Sequence, residues 1–78
     1  MLEDLKTIIS KTINIKGKVV DPGTRFFEDL GADYLDMVEI GMGIEDKFHI
    51  EIITGRNIEN IKTVADMIQV IEEKRNRI

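Results

Sequence analysis

Apolar residues recur at helical spacing in three separate stretches of this chain, and that periodicity restricts its fold more than any other feature. The first stretch covers residues 2–15, and its apolar face consists of Leu2, Leu5, Ile8, Ile9 and Ile13. Glu3 and Asp4 lie in the first turn, where the helix dipole favours negative charge. Gly17 follows at a position suited to ending a helix. The pattern predicts a first helix over residues 2–15.

A long connection, residues 16–32, separates the first two helical stretches. Asp21, Pro22 and Gly23 form a turn sequence within it. Connections of this length in a small domain are usually either functional or disordered. This one carries several large apolar side chains, namely Val19, Val20, Phe26, Phe27 and Leu30. We therefore expect it to pack on the core.

The second helical stretch, residues 33–48, has two apolar faces, and Asp33 is a suitable N-cap for it. The predicted core face consists of Met37, Ile40, Ile44 and Phe48. The opposite face, within about 60° of arc, consists of Leu35, Val38 and Met42. Acidic residues edge this second face: Asp33, Asp36, Glu39, Glu45 and Asp46. The second face is either a docking surface for a basic, apolar groove of a partner, or it is covered by residues 16–32 or by the last helix.

Two glycines, Gly41 and Gly43, lie inside the second helical stretch. Each costs roughly 1 kcal/mol relative to alanine in a helix interior. They could leave room for an apolar guest, make the helix more flexible, allow close helix packing, or be imperfections that the fold tolerates. The sequence leaves these four interpretations open.

The last part of the chain predicts one short and one long helix. Residues 56–61 have the spacing of a short helical turn that places Ile58 and Ile61 inward. Thr63 is a suitable N-cap for a helix over residues 64–74, with an acid three positions later. The inward side of this helix is predicted to consist of Val64, Ile68 and Ile71, with Met67 and Val70 beside them. The fold class is therefore all-α, an up-and-down bundle of three main helices and one short helix.

Composition excludes several classes of function. The 78 residues suffice for a single domain, residues 1–78. The absence of cysteine excludes disulfides, zinc-thiolate sites and thiol nucleophiles, and one histidine cannot form a dyad with another. The net charge of −4 argues against nucleic acid as a partner, because phosphate binding requires a basic face. The N-terminal stretch lacks a secretory pattern and no apolar stretch approaches the length of a membrane span, so we expect a cytoplasmic protein. We also expect a monomer.

The stretch FFEDLGADYLDMVEIGMGIEDKFHIEI closely resembles the acyl carrier proteins, whose pattern is F-x-E-D-L-G-A-D-S-L-D followed by an acidic amphipathic helix. The matching residues in the first part are Phe26, Glu28, Asp29, Leu30, Gly31, Ala32, Asp33, Leu35 and Asp36. Those further on are Val38, Glu39, Met42, Glu45, Phe48, Glu51 and Ile52. The long first loop and the closing helix KTVADMIQVI also fit. The resemblance covers nearly the whole chain and implies an acyl-carrier-protein-like four-helix bundle.

The resemblance implies a carrier rather than an enzyme. In this family a serine carries a 4'-phosphopantetheine arm, which a phosphopantetheinyl transferase attaches from coenzyme A and which holds acyl groups as thioesters. The resemblance further implies that the transferase and the fatty-acid synthase enzymes dock on the acidic second helix. The implied docking residues are Asp33, Leu35, Asp36, Val38, Glu39, Met42, Glu45 and Asp46.

Residue 34 departs from the family pattern, because Tyr34 stands where the family has its serine. A phenol is bulkier than a serine hydroxyl, holds its oxygen several ångströms further out, and is less nucleophilic while neutral. Misplacing a reacting atom by about 1 Å can cost 100-fold in rate. We therefore expect no arm on Tyr34. Four other hydroxyl residues at bends or in the first helix lack the same sequence context: Ser10, Thr24, Thr54 and Thr63.

Two hypotheses from different classes follow. One is a carrier of acyl groups in fatty-acid or related biosynthesis, which requires a modified residue 34. The other is an interaction or regulatory module that binds partner enzymes without a prosthetic arm. Tyr34 favours the second, and the remaining motif favours the first. The tyrosine could belong to a natural paralogue, to a deliberate replacement, or to an erroneous or variant sequence of a true carrier.

Overall fold

The computed structural model describes residues 1–52 and 58–75, with Glu59 described by its backbone alone. Within these residues there are three α-helices: α1 is Leu2–Ser10, α2 is Tyr34–Phe48 and α3 is Val64–Arg75. A short 3₁₀ turn covers Ile58–Asn60. This part of the chain contains no β-strand, although an isolated bridge joins Arg25 and Thr63. The all-α helical bundle is thus confirmed.

Helix α1 is shorter than predicted, because it ends at Ser10 rather than at residue 15. The Asn14 side-chain oxygen accepts a hydrogen bond from the Lys16 N–H at 3.0 Å, which offers the backbone a turn in place of a helix. Ile13 still packs against the core, which explains why the apolar spacing continues past the helix. The prediction of Gly17 as the helix stop was wrong, because its left-handed conformation (φ 82°) lies well beyond the helix end.

The predicted N-cap of α2 is confirmed. The Asp33 carboxylate accepts a hydrogen bond from the Asp36 N–H at 2.8 Å, and the Asp36 carboxylate accepts one from the Asp33 N–H at 3.1 Å. This reciprocal capping box satisfies two backbone donors that a helix start otherwise leaves without partners. The first residue of α2 is therefore held in a defined position.

At its other end, α2 terminates in a left-handed residue that is not glycine. His49 has φ 57° and ψ 47°, and its N–H donates to the Glu45 carbonyl. Side chains with a Cβ are strained in this region, where glycine is the usual helix-terminating residue. The local fold thus tolerates some strain at His49.

We expect His49→Gly to stabilise the protein by about 0.5–1 kcal/mol, because glycine adopts this conformation without the Cβ penalty. For a domain of this size the melting temperature should rise by about 2–8 °C. Thermal unfolding followed by circular dichroism measures the change. Gly31→Ala is the matched control, because Gly31 also has a positive φ, 70°, and should lose stability. A lower melting temperature for His49→Gly would contradict the argument.

The loop between α1 and α2 packs on the core as predicted, with one exception. Val20, Phe26 and Leu30 are buried and Phe27 is partly buried. Val19 was expected to pack inward as well, but its exposure is 80%. Its neighbour Val20, 4% exposed, takes the inward position instead.

Loop carbonyls complete the start of α3. The Val64 N–H donates to the Thr24 carbonyl and the Ala65 N–H donates to the Pro22 carbonyl, each at 2.9 Å. In the other direction, the Phe26 N–H donates to the Lys62 carbonyl at 2.9 Å. These bonds satisfy helix-terminal donors that would otherwise need water. The long first loop and α3 are therefore fastened to each other directly.

The cap of α3 is confirmed, but its buried side is rotated from the prediction. The Asp66 N–H donates to the Thr63 hydroxyl at 3.1 Å, and the Asp66 carboxylate accepts from the Thr63 N–H at the same distance. Met67, expected only beside the inward face, is fully buried, whereas Ile68, expected on that face, is partly buried. The inward face is therefore centred nearer Met67.

The short helical turn before α3 is also confirmed, because Ile58 and Ile61 are both buried. Its predicted first residues, 56 and 57, lie outside the described part of the chain. At the far end of the bundle, the Arg75 guanidinium lies 5.4 Å from the centre of the Phe48 ring. This cation–π contact joins the last turn of α3 to the last turn of α2.

Candidate functional site

Tyr34 is the first residue of α2, immediately after the capping residue Asp33. Its side chain is 55% exposed. Within the described residues its hydroxyl makes no hydrogen bond. The fold thus presents residue 34 to solvent at the start of a helix whose backbone is fixed by the capping box.

A charged turn lies in the loop before α2. The Arg25 guanidinium contacts the Asp29 carboxylate at 3.0 Å and the Glu28 carboxylate at 3.1 Å. The Arg25 N–H also donates to Asp29 at 2.8 Å. The hydrogen bonds from Arg25 lower the pKa of Asp29, and the hydrogen bond to Asp29 raises the pKa of Arg25. Because folding lowers the pKa of Asp29, its bonding to Arg25 contributes stability at pH values above the ordinary carboxyl pKa. That contribution is lost as pH falls through the lowered pKa.

The front face of α2 is only partly covered by the rest of the described chain. Leu35 is 69% exposed and Met42 is 56% exposed, whereas Val38 is partly buried. Of the two interpretations of this face, coverage by the loop or by α3 does not account for Leu35 and Met42. An apolar strip therefore remains accessible along α2.

The acidic residues around the strip fall into two groups. Glu39 and Asp46 are exposed and form no ion pair within the described residues. Asp33 and Asp36 form the capping box, so part of their hydrogen-bonding capacity is used by the backbone. Glu39 and Asp46 are therefore the acids with the most freedom to meet a partner.

Glu45 has a structural role that the sequence did not reveal. It is partly buried, and its Oε2 accepts a hydrogen bond from the Ile52 N–H at 2.8 Å. The bond fixes the segment that follows α2 and helps to hold the fully buried Ile52. The two residues are seven positions apart across a helix end, so helical periodicity carries no signal of this contact.

Close packing between α1 and α2 explains one of the two central glycines. A Cβ added to Gly43 would lie 2.9 Å from Cγ2 of Ile8, closer than side chains normally approach. The methyl group of Ile8 is attached at its own Cβ and cannot rotate away freely. Of the interpretations left open by the sequence, close helix packing thus accounts for Gly43. Gly41 is buried, whereas Gly43 is partly buried.

A groove of about 610 Å³ lies beside this contact, between α1 and α2. Its lining includes charges of both signs, among them Asp4, Lys11, Asp46 and Lys47. A lining of this kind does not suit an apolar guest. Within the described residues no three His, Cys, Asp or Glu side chains are grouped to hold a metal ion. No helix in that part of the chain is long and apolar enough to cross a membrane.

Comparison with known proteins agrees with the geometry. The family model described as "Phosphopantetheine attachment site" matches residues 3–71. An acyl carrier protein of Helicobacter pylori (strain J99) is 39% identical over 75 residues, which is 96% of this chain and 95% of the relative. Those of Wolinella succinogenes and Helicobacter hepaticus are 40% and 43% identical, covering 92% and 90% of this chain and 93% and 91% of the relatives. This chain belongs to the acyl carrier protein family.

Members of the acyl carrier protein family are carriers rather than enzymes, and 4'-phosphopantetheine is the prosthetic group that membership implies. The family resemblance assigns attachment to residue 34, and the side chain present there does not fit that group. Tyr34 presents a phenol at the start of α2 where the family presents a serine hydroxyl. The family membership is therefore plain, while its usual attachment chemistry has no matching side chain at residue 34.

The other aliphatic hydroxyls considered from the sequence do not replace the missing serine. Ser10 lies at the end of α1 and donates to the Thr7 carbonyl. Thr24 is 5% exposed and bonds within the first loop, and Thr63 caps α3. Thr54 lies outside the described residues. None of the described three lies at the start of α2.

Proposed function

We propose that this protein is a cytoplasmic, monomeric member of the acyl carrier protein family, one domain over residues 1–78, that binds enzymes of fatty-acid or related acyl biosynthesis without bearing a prosthetic arm. Docking occurs through α2, by the residues implied above: Asp33, Leu35, Asp36, Val38, Glu39, Met42, Glu45 and Asp46. The observation that carries the proposal is the combination of an exposed, acid-edged α2 with a tyrosine at the attachment position.

Exposure and charge both support docking on α2. Leu35 and Met42 offer apolar area to a partner, and Glu39 and Asp46 lie beside them without intramolecular ion pairs in the described chain. Unpaired carboxylates at the edge of an apolar strip favour a partner with a basic rim, since complementary charge raises association rates and excludes wrong partners. The partners that fit are the fatty-acid synthase enzymes and a phosphopantetheinyl transferase.

The mismatch at residue 34 supports the absence of the arm. The capping box fixes the backbone at Tyr34, so the phenol oxygen cannot retract to the position of a serine oxygen. A transferase aligned on this helix start would meet ring carbons where it requires a nucleophilic oxygen. The rest of the chain keeps the fold that presents the position.

A working carrier is the second candidate. Its support is the match of the family model over residues 3–71 and of the relatives named acyl carrier protein over most of their length. This candidate requires that Tyr34 accept the arm, or that the functional protein carry serine at residue 34. The loading measurement described in the Discussion separates the two candidates.

Docking is tested by removing the two free acids of α2 together, with the substitutions Glu39→Gln and Asp46→Asn. We expect the dissociation constants for purified bacterial fatty-acid synthase enzymes and a broad-specificity phosphopantetheinyl transferase to rise about 10-fold at low salt, because the variant loses two charges facing a basic rim. Isothermal titration calorimetry of each pair measures the change. Added salt should weaken the unaltered chain more than the variant.

The control removes two charges elsewhere. Glu72 and Glu73 are exposed on α3, and Glu72→Gln with Glu73→Gln changes the net charge by the same amount. Binding by this control should stay within about 2-fold of the unaltered chain, because charges off the interface act mainly through weak long-range steering. Equal weakening by both pairs would show that overall charge, rather than the face of α2, governs binding. If the unaltered chain bound neither the synthase enzymes nor the transferase, which together form the enzyme panel, docking would be contradicted altogether.

A further inference from the structure

An exposed row of large side chains runs along α2 from its first residue. Tyr34, Val38 and Met42 are spaced by four positions, so they are neighbours on one helix surface, and Leu35 lies beside them. Tyr34, Leu35 and Met42 are each more than half exposed, and Val38 is partly buried. The tyrosine ring therefore extends the apolar strip to the very start of the helix.

Within the described chain, Tyr34 has no visible structural role. The neighbouring loop directs Phe26 and Leu30 into the core, and the capping box that holds this helix start uses Asp33 and Asp36. The tyrosine hydroxyl has no intramolecular hydrogen bond in the described residues. A large aromatic side chain left in solvent next to other exposed apolar groups is characteristic of an interaction surface.

Charge identifies the kind of partner that suits this row. Glu39 and Asp46 lie alongside it, exposed and without ion pairs in the described residues, and the whole chain has a net charge of −4. A complementary surface has an apolar pocket for the row and Lys or Arg side chains around it. Tyrosine is enriched among the residues that dominate binding energy, because its rigid ring buries a large area at low entropic cost.

We propose that Tyr34 is the anchor residue of the docking surface, its ring inserting into an apolar pocket of a folded protein partner whose rim of lysine and arginine pairs with Glu39 and Asp46. The inference rests on the docking function proposed above and adds a specific role for the residue that replaces serine. The tyrosine then strengthens recognition at the position where the family attaches its arm.

The first test compares Tyr34 variants against the same enzyme panel. Tyr34→Ala should raise the dissociation constant about 10-fold or more for the enzymes that bind, because the ring is lost. Tyr34→Phe should stay within about 3-fold, because the ring is retained. Val19→Ala is the matched control, since Val19 is exposed and apolar but lies in the first loop, and its binding should be unchanged. Circular dichroism establishes that each variant folds.

The second test observes the ring itself. Tyr34 is the sole tyrosine of the sequence, so biosynthetic 3-fluorotyrosine places a single fluorine label at this position. On addition of a binding enzyme, the ¹⁹F resonance should shift. A soluble gadolinium chelate should then enhance its relaxation much less, because the ring is no longer exposed to solvent. A resonance that keeps the full gadolinium effect in the complex would overturn the inference.

The outcomes separate this inference from the docking proposal. If Glu39→Gln with Asp46→Asn weakens binding while Tyr34→Ala binds as the unaltered chain or more tightly, docking stands and the anchor role is wrong. If no enzyme of the panel binds the unaltered chain, both are wrong. Weakening by Tyr34→Ala with retention by Tyr34→Phe supports both.

Discussion

Tyr34→Ser should convert this chain from a protein that gains no prosthetic arm into one that gains one arm per molecule. The substitution places a small aliphatic hydroxyl on the first residue of α2, at a backbone position already fixed by Asp33 and Asp36. The unaltered phenol holds its oxygen several ångströms too far out, and misplacement by about 1 Å can already slow a reaction 100-fold. We therefore expect the rate of loading to differ by at least about 100-fold. Intact-protein mass after incubation with coenzyme A and a broad-specificity phosphopantetheinyl transferase measures it.

Tyr34→Ala is the control for this measurement, because it removes the bulk of the ring without supplying a hydroxyl. Tyr34→Ala should gain no arm. An arm found on Tyr34→Ser must then be attached to the serine oxygen. If the unaltered chain gains the arm as fast as Tyr34→Ser, the argument from the phenol fails and the working carrier is the correct function. If Tyr34→Ser also stays unloaded, the mismatch extends beyond residue 34 to the surface that the transferase must recognise.

The starts of α2 and α3 were predictable from the sequence because their determinants are local. The Asp33 and Asp36 carboxylates act on backbone N–H groups within one turn, as do Thr63 and Asp66. Such pairs can be read directly from spacing. The first residue of α2, and with it the place of Tyr34, follows from this local chemistry.

The end of α1 was not predictable by the same means. Apolar spacing extends to Ile13, and Ile13 does pack on the core, but it does so from a turn. Periodicity records which side chains face inward and does not distinguish a helix from a turn that continues the same face. Just past Ser10, the Lys11 and Thr12 N–H groups donate to carbonyls three residues back, those of Ile8 and Ile9, and the Asn14 side chain then closes a separate turn with the Lys16 N–H.

The exposed apolar face of α2 was predictable from the sequence, but the separate contacts of the acids around it were not. The spacing along α2 identified Leu35, Val38 and Met42 as a second face, and the fold leaves two of these three well exposed. The roles of the acids depend on contacts that spacing does not encode. Glu45 bonds the Ile52 N–H across the helix end, while Asp46, its neighbour in sequence, remains exposed.

Phe26→Ala should be among the most destabilising single substitutions in this chain. The Phe26 side chain is fully buried, and its backbone exchanges hydrogen bonds with the Lys62 carbonyl and the Ala32 N–H. Truncating a buried phenylalanine typically costs about 3–5 kcal/mol, because both apolar burial and packing contacts are lost. Native domains are stable by only about 5–15 kcal/mol. We expect a fall of at least about 12 °C in melting temperature, measured by circular dichroism.

Val19→Ala, in the same loop, should change stability by less than about 0.5 kcal/mol, because its side chain lies in solvent. The contrast tests whether the loop acts as a fixed support for residue 34 or merely connects two helices. Phe26 links the loop to the residue before the α3 cap, and its carbonyl accepts from Ala32, two residues before Tyr34. If Phe26→Ala melts within a few degrees of the unaltered chain, the loop is not a support, and the defined placement of Tyr34 must then come from the capping box alone.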